Sequence, residues 1–246
     1  MSLLNNLKTK DTVKALDQDR LGGSRLLATD VYAGNIKYAY LSQADSGAIA
    51  INFQAETDDK QLINQTTYMT SRTGSNTYVD KQSGEDRYLP GFILGNSLAL
   101  LTVGDEIGNL TVEEKVINLY NFDEKKELPT KVQMLSELIG QRAKFAVEQQ
   151  IQDKNVKNDA GKYVASGETR EVNEVTKVFR DRDNMTVTEI QERVEDAVFM
   201  DLWVEKNKGE VINKAKGAAT GGAKSGAPTK AGAGASKAGG VKSLFN

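Results

Sequence analysis

The chain has 246 residues, with 32 basic side chains, 34 acidic ones, no histidine and no cysteine. Without imidazole or thiol there is no histidine base, no cysteine nucleophile, no zinc finger, no Cys-ligated iron–sulfur cluster and no disulfide framework. The length suits one large domain or two small ones, and the formal net charge of −2 averages two unlike pieces.

Residues 1–23 read as an N-terminal arm without signal-peptide character, because Leu3, Leu4 and Leu7 build no long apolar core and charge soon follows. Residues 24–80 read as strands. In Ile36-Lys37-Tyr38-Ala39-Tyr40-Leu41 the large side chains at 36, 38 and 40 alternate with Lys37 and Ala39, and Ile49, Ile51 and Phe53 alternate in the next segment. Segments 66–71 and 77–79 are β-branched and aromatic, with Gly74-Ser75-Asn76 as the turn between them. Period two at this turn spacing predicts an antiparallel meander. After Pro90-Gly91, the apolar run 92–103 sets Leu94, Leu98 and Leu101 at helical spacing and stops at Gly104, which favours a buried helix over a buried strand. Thr130-Lys131-Val132-Gln133, directly after Pro129, has the form of a capping box. It predicts a short helix carrying Val132, Leu135, Leu138 and Ile139, ended by Gly140. Phe145, Val147 and Ile151 alternate with polar residues as a long strand, and 163–179 reads as its returning partner. Thr186 with Glu189 opens a further helix, and 198–204 holds the sole tryptophan, Trp203. The sum is a mainly β or α+β body over 24–207, an antiparallel β-barrel decorated with short helices rather than a doubly wound α/β fold.

Composition then shifts. Residues 208–246 hold nine glycines, nine alanines and seven lysines with Glu210 as the only acid, a net +6 that leaves −8 on residues 1–207. Few apolar side chains are present to offset ordering entropy, so this stretch reads as a disordered basic tether. Residues 217–225 resemble a phosphate-binding loop, but Lys224 does not directly follow Gly222 and no buried strand precedes it, so low complexity is the better reading. Leu244 and Phe245 form an apolar pair, either a docking peptide or a frayed end. No window approaches the length of a membrane span, and no membrane partner is expected.

No catalytic constellation emerges. Asp181, Asp183 and Glu192 hold three positions of a calcium loop, yet Thr186 stands where its glycine belongs and Met185 takes a ligand position, so they read as helix-start carboxylates. Asp58-Asp59 and Asp105-Glu106 read as turn acids. There is no Gly-x-Ser-x-Gly elbow, and a serine triad would lack its histidine. We expect no enzyme and no cofactor or metal. Binding signals are better: cations stand beside tyrosines in Lys37 with Tyr38 and Tyr40, Tyr68 with Arg72, Tyr78 with Lys81, and Arg87 with Tyr88. Aromatic faces stack on unpaired bases while Lys and Arg neutralise phosphates. The plainer alternative is that tyrosines are good strand formers at the rim of a core.

Several blocks stand in one order: Tyr88-Leu89-Pro90-Gly91-Phe92, then Glu114-Lys115-Val116-Ile117-Asn118-Leu119-Tyr120-Asn121-Phe122-Asp123, then Glu127-Leu128-Pro129-Thr130-Lys131-Val132. Asp153-Lys154-Asn155-Val156-Lys157-Asn158 and Gly167-Glu168-Thr169-Arg170 follow. Together, over roughly residues 24–215, the chain resembles a family of single-stranded DNA-binding proteins encoded by tailed bacteriophages. The resemblance implies an OB-type barrel that coats single-stranded DNA in phage replication and recombination, without catalysis, in the cytoplasm of the infected host. It transfers no agreed set of contact residues. One departure is that many such proteins end in an acidic tail, whereas this one is basic, which argues against self-inhibition and for added phosphate contacts.

The expected nucleic-acid-binding residues are therefore Arg25, Lys37, Tyr38, Tyr68, Arg72, Tyr78, Lys81, Arg87, Tyr88, Lys154 and Lys157, chosen by charge, aromaticity and predicted strand position. Leu244 and Phe245 are the expected contacts for phage replication, recombination or transcription proteins. Self-association on DNA is a further expectation. The rival readings are an adaptor that recruits a phage polymerase or recombination enzyme, and a virion or scaffold structural protein.

Overall fold

The computed structural model describes residues 26–121, 124–158 and 163–216. Alternating inward side chains and tight turns produce the expected meander of β1 (Asp30–Gln43), β2 (Ile49–Thr57) and β3 (Leu62–Tyr68), all antiparallel. A separate two-stranded hairpin, β4 (Thr77–Val79) with β5 (Asp86–Tyr88), leads into helix α1 (Pro90–Thr102). Pro90 opens α1 where its missing N–H costs nothing, and Leu94, Leu98 and Leu101 line its buried face as their spacing predicts. Gly91 is required by packing: a Cβ there would lie 2.0 Å from the Tyr68 carbonyl oxygen, so the helix seats its first turn directly on the end of β3.

Two long ribbons follow. The first, β6 (Val112–Asn121) with β7 (Lys126–Leu135), is paired along its whole length but meets β1 only at Tyr40 opposite Met134 and Leu41 opposite Gln133. It projects as an arm. The helix expected from Thr130 onward is not formed: β7 runs through it, and only a 3-10 turn at Ser136–Leu138 remains. Thr130 Oγ1 donates backward to the Leu128 carbonyl instead of capping a helix, and the ladder to β6 satisfies backbone groups that a helix would have used.

The second ribbon is β8 (Arg142–Lys157) with β9 (Tyr163–Arg180). Its β8 pairs β1 from Asp30 opposite Val147 to Asn35 opposite Arg142, so the main order runs β9-β8-β1-β2-β3. The inner faces bury Ile36, Ile51, Phe53, Ile63, Phe145, Val147, Val175 and Val178 with the leucines of α1, and the Phe53 and Phe145 rings stack at 5.8 Å. Helix α2 (Val187–Gln191) starts at the expected Thr186–Glu189 capping box. Helix α3 (Phe199–Asn207) lays Trp203 over Ala146 and Phe179, covering the other side of β8. Strand β10 (Val211–Asn213) then runs parallel to β8 at Gln149–Ile151. Thr29 holds it there: its hydroxyl donates to the Glu210 carbonyl at 2.5 Å and accepts from the Gln149 N–H at 2.8 Å. The folded body thus runs past residue 207, the expected boundary, through β10 to the last described residue, 216; residues 217–246, the expected arm 1–23, and residues 24 and 25 lie outside the described residues.

The barrel expected from the sequence is not closed. Among the described residues β3 and β9 share no backbone ladder, because α1 packs against both. One side chain bridges them. Buried Gln65 donates through Nε2 to Glu174 Oε1 at 2.8 Å and accepts through Oε1 from the Val175 N–H at 2.8 Å. Glu174 stands directly opposite Glu148 in the ribbon. Burial, with the Glu148 charge adding to it, raises the Glu174 pKa above its ordinary 4.5, against the opposing pull of the Gln65 hydrogen bond and Lys214.

Two predictions follow from this packing. Gly91→Ala should lower stability by about 1–3 kcal/mol, the usual cost of overpacking. Gly108→Ala, with nothing within 4 Å of the added carbon, should leave the urea midpoint nearly unchanged. For Glu174, the folded chain binds the proton more tightly than the unfolded one, so its contribution is fully present below pH 4.5 and is lost as pH rises through the raised folded value. Glu174→Gln should therefore raise the melting temperature at pH 7, by a margin that vanishes at pH 4; a fall at pH 7 would contradict the sign.

Candidate nucleic-acid interface

A β-bulge decides what the meander shows to solvent. Ile36 faces Ala55 and Tyr38 faces Gln54, leaving Lys37 as an extra residue between two consecutive partners. Simple alternation would send Ile36, Tyr38 and Tyr40 to one face. The inserted residue breaks it, so Ile36 and Ala39 are buried while Tyr38 and Tyr40 turn outward. Their rings lie 6.1 Å apart, tilted by 35°. Burial against the sheet raises both phenol pKa values above their ordinary 10, with Tyr38 adding to the rise at Tyr40; both rings present neutral aromatic surface.

The rest of that outer face is built from amides and hydroxyls. Tyr38 aligns with Gln54 and Asn64, and Tyr40 with Asn52 and Thr66. Asn52 Nδ2 donates to Ser42 Oγ at 2.7 Å, Thr66 Oγ1 donates to Asn52 Oδ1 at 2.8 Å, and Gln54 Nε2 donates to Asn64 Oδ1 at 2.8 Å. Tyr68, 54% exposed, closes the far edge beside Ala50. Lys37 reaches Glu56 at 3.7 Å, and Glu56 also holds Lys60 at 3.0 Å. Those hydrogen bonds and charges keep the Glu56 carboxyl below its usual range, the Lys60 hydrogen bond most strongly. Exposed pairs of this kind are worth little, so Lys37 can exchange Glu56 for a phosphate. Between the β1–β2 end and the arm lies a cleft of about 540 Å3, lined by Tyr40, Ser42, Gln43, Leu119, Thr130 and Lys131 among others.

The structure sorts the expected contacts into separate groups. Lys37, Tyr38 and Tyr68 share the outer face, and exposed Arg72 follows β3 at the rim, its carbonyl beside the Gly47 turn. Tyr78, Lys81, Arg87 and Tyr88 belong to the β4–β5 hairpin, whose two tyrosines point opposite ways: Tyr78 shares a face with Arg87, Tyr88 with Thr77. Arg87 pairs with Asp80 at 3.6 Å, and the Tyr88 ring lies 5.0 Å from Phe92. Lys154 sits on the distal part of the β8–β9 ribbon, beyond the Asp30 end of β1, tied to Glu168 at 2.8 Å. Arg25, Leu244, Phe245 and the Lys157 side chain lie outside the described residues. Sequence reasoning left Tyr40 out of the site and missed Asn52, Gln54, Asn64, Thr66 and Lys131. The available signal was the alternation of hydrogen-bonding side chains along β2 and β3.

A platform of neutral rings flanked by amides and one exchangeable lysine suits stacking and hydrogen bonding to flat polar ligands. Among the described residues no group of three or more acidic side chains is placed to hold a metal ion, and no helix is long and apolar enough to cross a membrane. Family models, curated proteins and solved structures contain no match to this chain.

The bulge makes an unusual deletion tolerable. Removing Lys37 leaves Ile36 and Tyr38 on successive partners with their facing unchanged, so the variant should still melt cooperatively by circular dichroism. Deleting Ala39 instead forces a tyrosine toward the core and should abolish the cooperative transition.

Proposed function

We propose that the chain is a single-stranded DNA-binding protein of the kind its sequence resembles, holding unpaired bases on the outer face of β1–β3 and in the cleft beneath the arm. The observation that carries this reading is the bulge at Lys37, which turns Tyr38 and Tyr40 onto an otherwise hydrogen-bonding sheet face. Bases stack on such rings without regard to sequence, and amides accept or donate to whichever edge is presented. The strand order adds support: with the β4–β5 hairpin, the β6–β7 arm and β10 set aside, three meander strands, a helix, a strand pairing β1 and a last strand pairing that one follow the connectivity of an OB-type barrel, here open between β3 and β9. On this reading the protein coats and protects DNA during phage replication and recombination in the host cytoplasm, self-associating on the strand and meeting other replication proteins there.

Fluorescence titration with oligo-dT at two salt concentrations tests it. Binding should weaken with salt, since phosphate contacts release counterions, and should strongly favour single strands over duplex. Tyr38→Ala with Tyr68→Ala should cost about 1–3 kcal/mol for each stacked base lost. No salt-sensitive binding at micromolar protein would overturn the reading. Wild-type affinity in the double variant, with loss in Tyr78→Ala/Tyr88→Ala, would move the interface to the hairpin.

A further inference from the structure

Away from the tyrosine face lies a second concavity. Ile93 and Leu94 of α1, Val187 of α2, and Val198, Phe199 and Leu202 at α3 line a groove of about 510 Å3, with residues 176–178 of β9 along one side. Ile93, Val198, Phe199 and Leu202 are 39% to 55% exposed, a concentration of apolar surface that ordinarily marks an interaction site. The groove is preformed rather than loose. Glu189 accepts the Thr186 N–H at one carboxylate oxygen and the Val198 and Phe199 N–H groups at the other, at 2.8, 2.8 and 2.9 Å, pinning the starts of α2 and α3 together.

Its surroundings are acidic. Residues 187–205 contain Glu189, Glu192, Glu195, Asp196, Asp201 and Glu205 against Arg193; on the groove wall Glu192 and Glu189 stand with one cation, Lys177, whose ammonium lies 5.7 Å from the Phe199 ring, so acids outnumber bases around it. Among the described residues none of Glu192, Glu195, Asp196, Asp201 and Glu205 makes an ion pair. An occupant should thus be apolar and cationic, and this chain contains one. Residues 217–246 carry Lys224, Lys230, Lys237 and Lys242 with no acid, and their only large apolar side chains are Val241, Leu244 and Phe245. Residues 1–25 fit less well, because Asp11, Asp17 and Asp19 stand among their bases.

The distances agree. Strand β10 leaves the body where the Lys214 N–H meets the Ile151 carbonyl, and Ile151 stands opposite Glu171 of β9. Lys177 lies six residues farther along β9, about 20 Å at the rise of a strand. A Gly-rich linker the length of residues 217–240 has a root-mean-square span of about 25–30 Å. We propose that segment 241–245 of this chain docks in the α1–α3 groove, Leu244 and Phe245 covering Ile93, Val198 and Leu202 while Lys242 meets Glu192. This docking does not rest on nucleic-acid binding and is tested without it.

Phe245→p-benzoylphenylalanine is introduced into the full chain, irradiated in the absence of DNA, and the cross-links are mapped by mass spectrometry. Cross-links should fall on residues 90–97 and 194–202, whether within one chain or between two copies, and should fade as salt is raised. Leu202→Asp, at an exposed position, should remove them, while Tyr38→Ala should leave them intact. Should Leu202→Asp fail to fold, Glu192→Lys gives the second measurement: it should lower the yield, and adding Lys242→Glu should restore it. Cross-links on the β1–β3 face, scattered cross-links, or a yield indifferent to both groove variants would overturn the proposal.

Discussion

β1 has to serve two different neighbours along one edge, and the rest of the molecule follows from how it does so. From Asp30 to Asn35 that edge carries β8, and at Tyr40 and Leu41 it carries the arm strand β7. Lys37 falls in the interval. A bulge bends a strand and increases its twist, so the first half of β1 aims into the body while the second half meets the arm. The same extra residue changes which side chains look outward after it. One inserted lysine therefore sets both the placement of the arm and the aromatic character of the face beneath it.

Charge is distributed in keeping with that division. The body carries many carboxylates, yet on the outer face of β1–β3 Glu56 is the only acid, held between Lys37 and Lys60. Among the other acids, some are paired along the arm, as in Lys115 with Glu113 and Lys131 with Glu114, some are paired on the body, as in Asp58 and Asp181 with Arg142, and a group surrounds α2 and α3. A net charge for the whole chain is a poor guide to what either face attracts, because screening limits the reach of exposed charges to about 10 Å.

Local signals were legible in the sequence, and non-local ones were not. Period two in Ile49, Ile51 and Phe53, the 94/98/101 leucines after Pro90, and Thr186 with Glu189 each encode their element within a few residues, and β2, α1 and α2 form where they say. The orientation of Tyr38 and Tyr40 depends on the register against β2, which no pattern in β1 reveals. The stretch after Pro129 carries both a capping pattern and alternate burial of Val132 and Met134; the ladder supplied by β6 settles it as a strand. Val211 and Ile212 look like the start of a low-complexity tail until Thr29, far away in sequence, supplies the hydrogen bonds that seat β10. The candidate contacts divided for the same reason: a cation beside a tyrosine is visible in sequence, but the face each shares is a property of pairing.

The bridge between β3 and β9 bears on how such a fold closes. A backbone ladder joins strands through groups that every residue possesses, so substitution cannot easily dissolve it. Here, among the described residues, the hydrogen bonds between the two edges run through the side chain of Gln65, to Glu174 and from Val175. Closure is then separable from strand pairing: a substitution at position 65 removes both hydrogen bonds of the seam and leaves every ladder intact, with α1 still packed against the two strands.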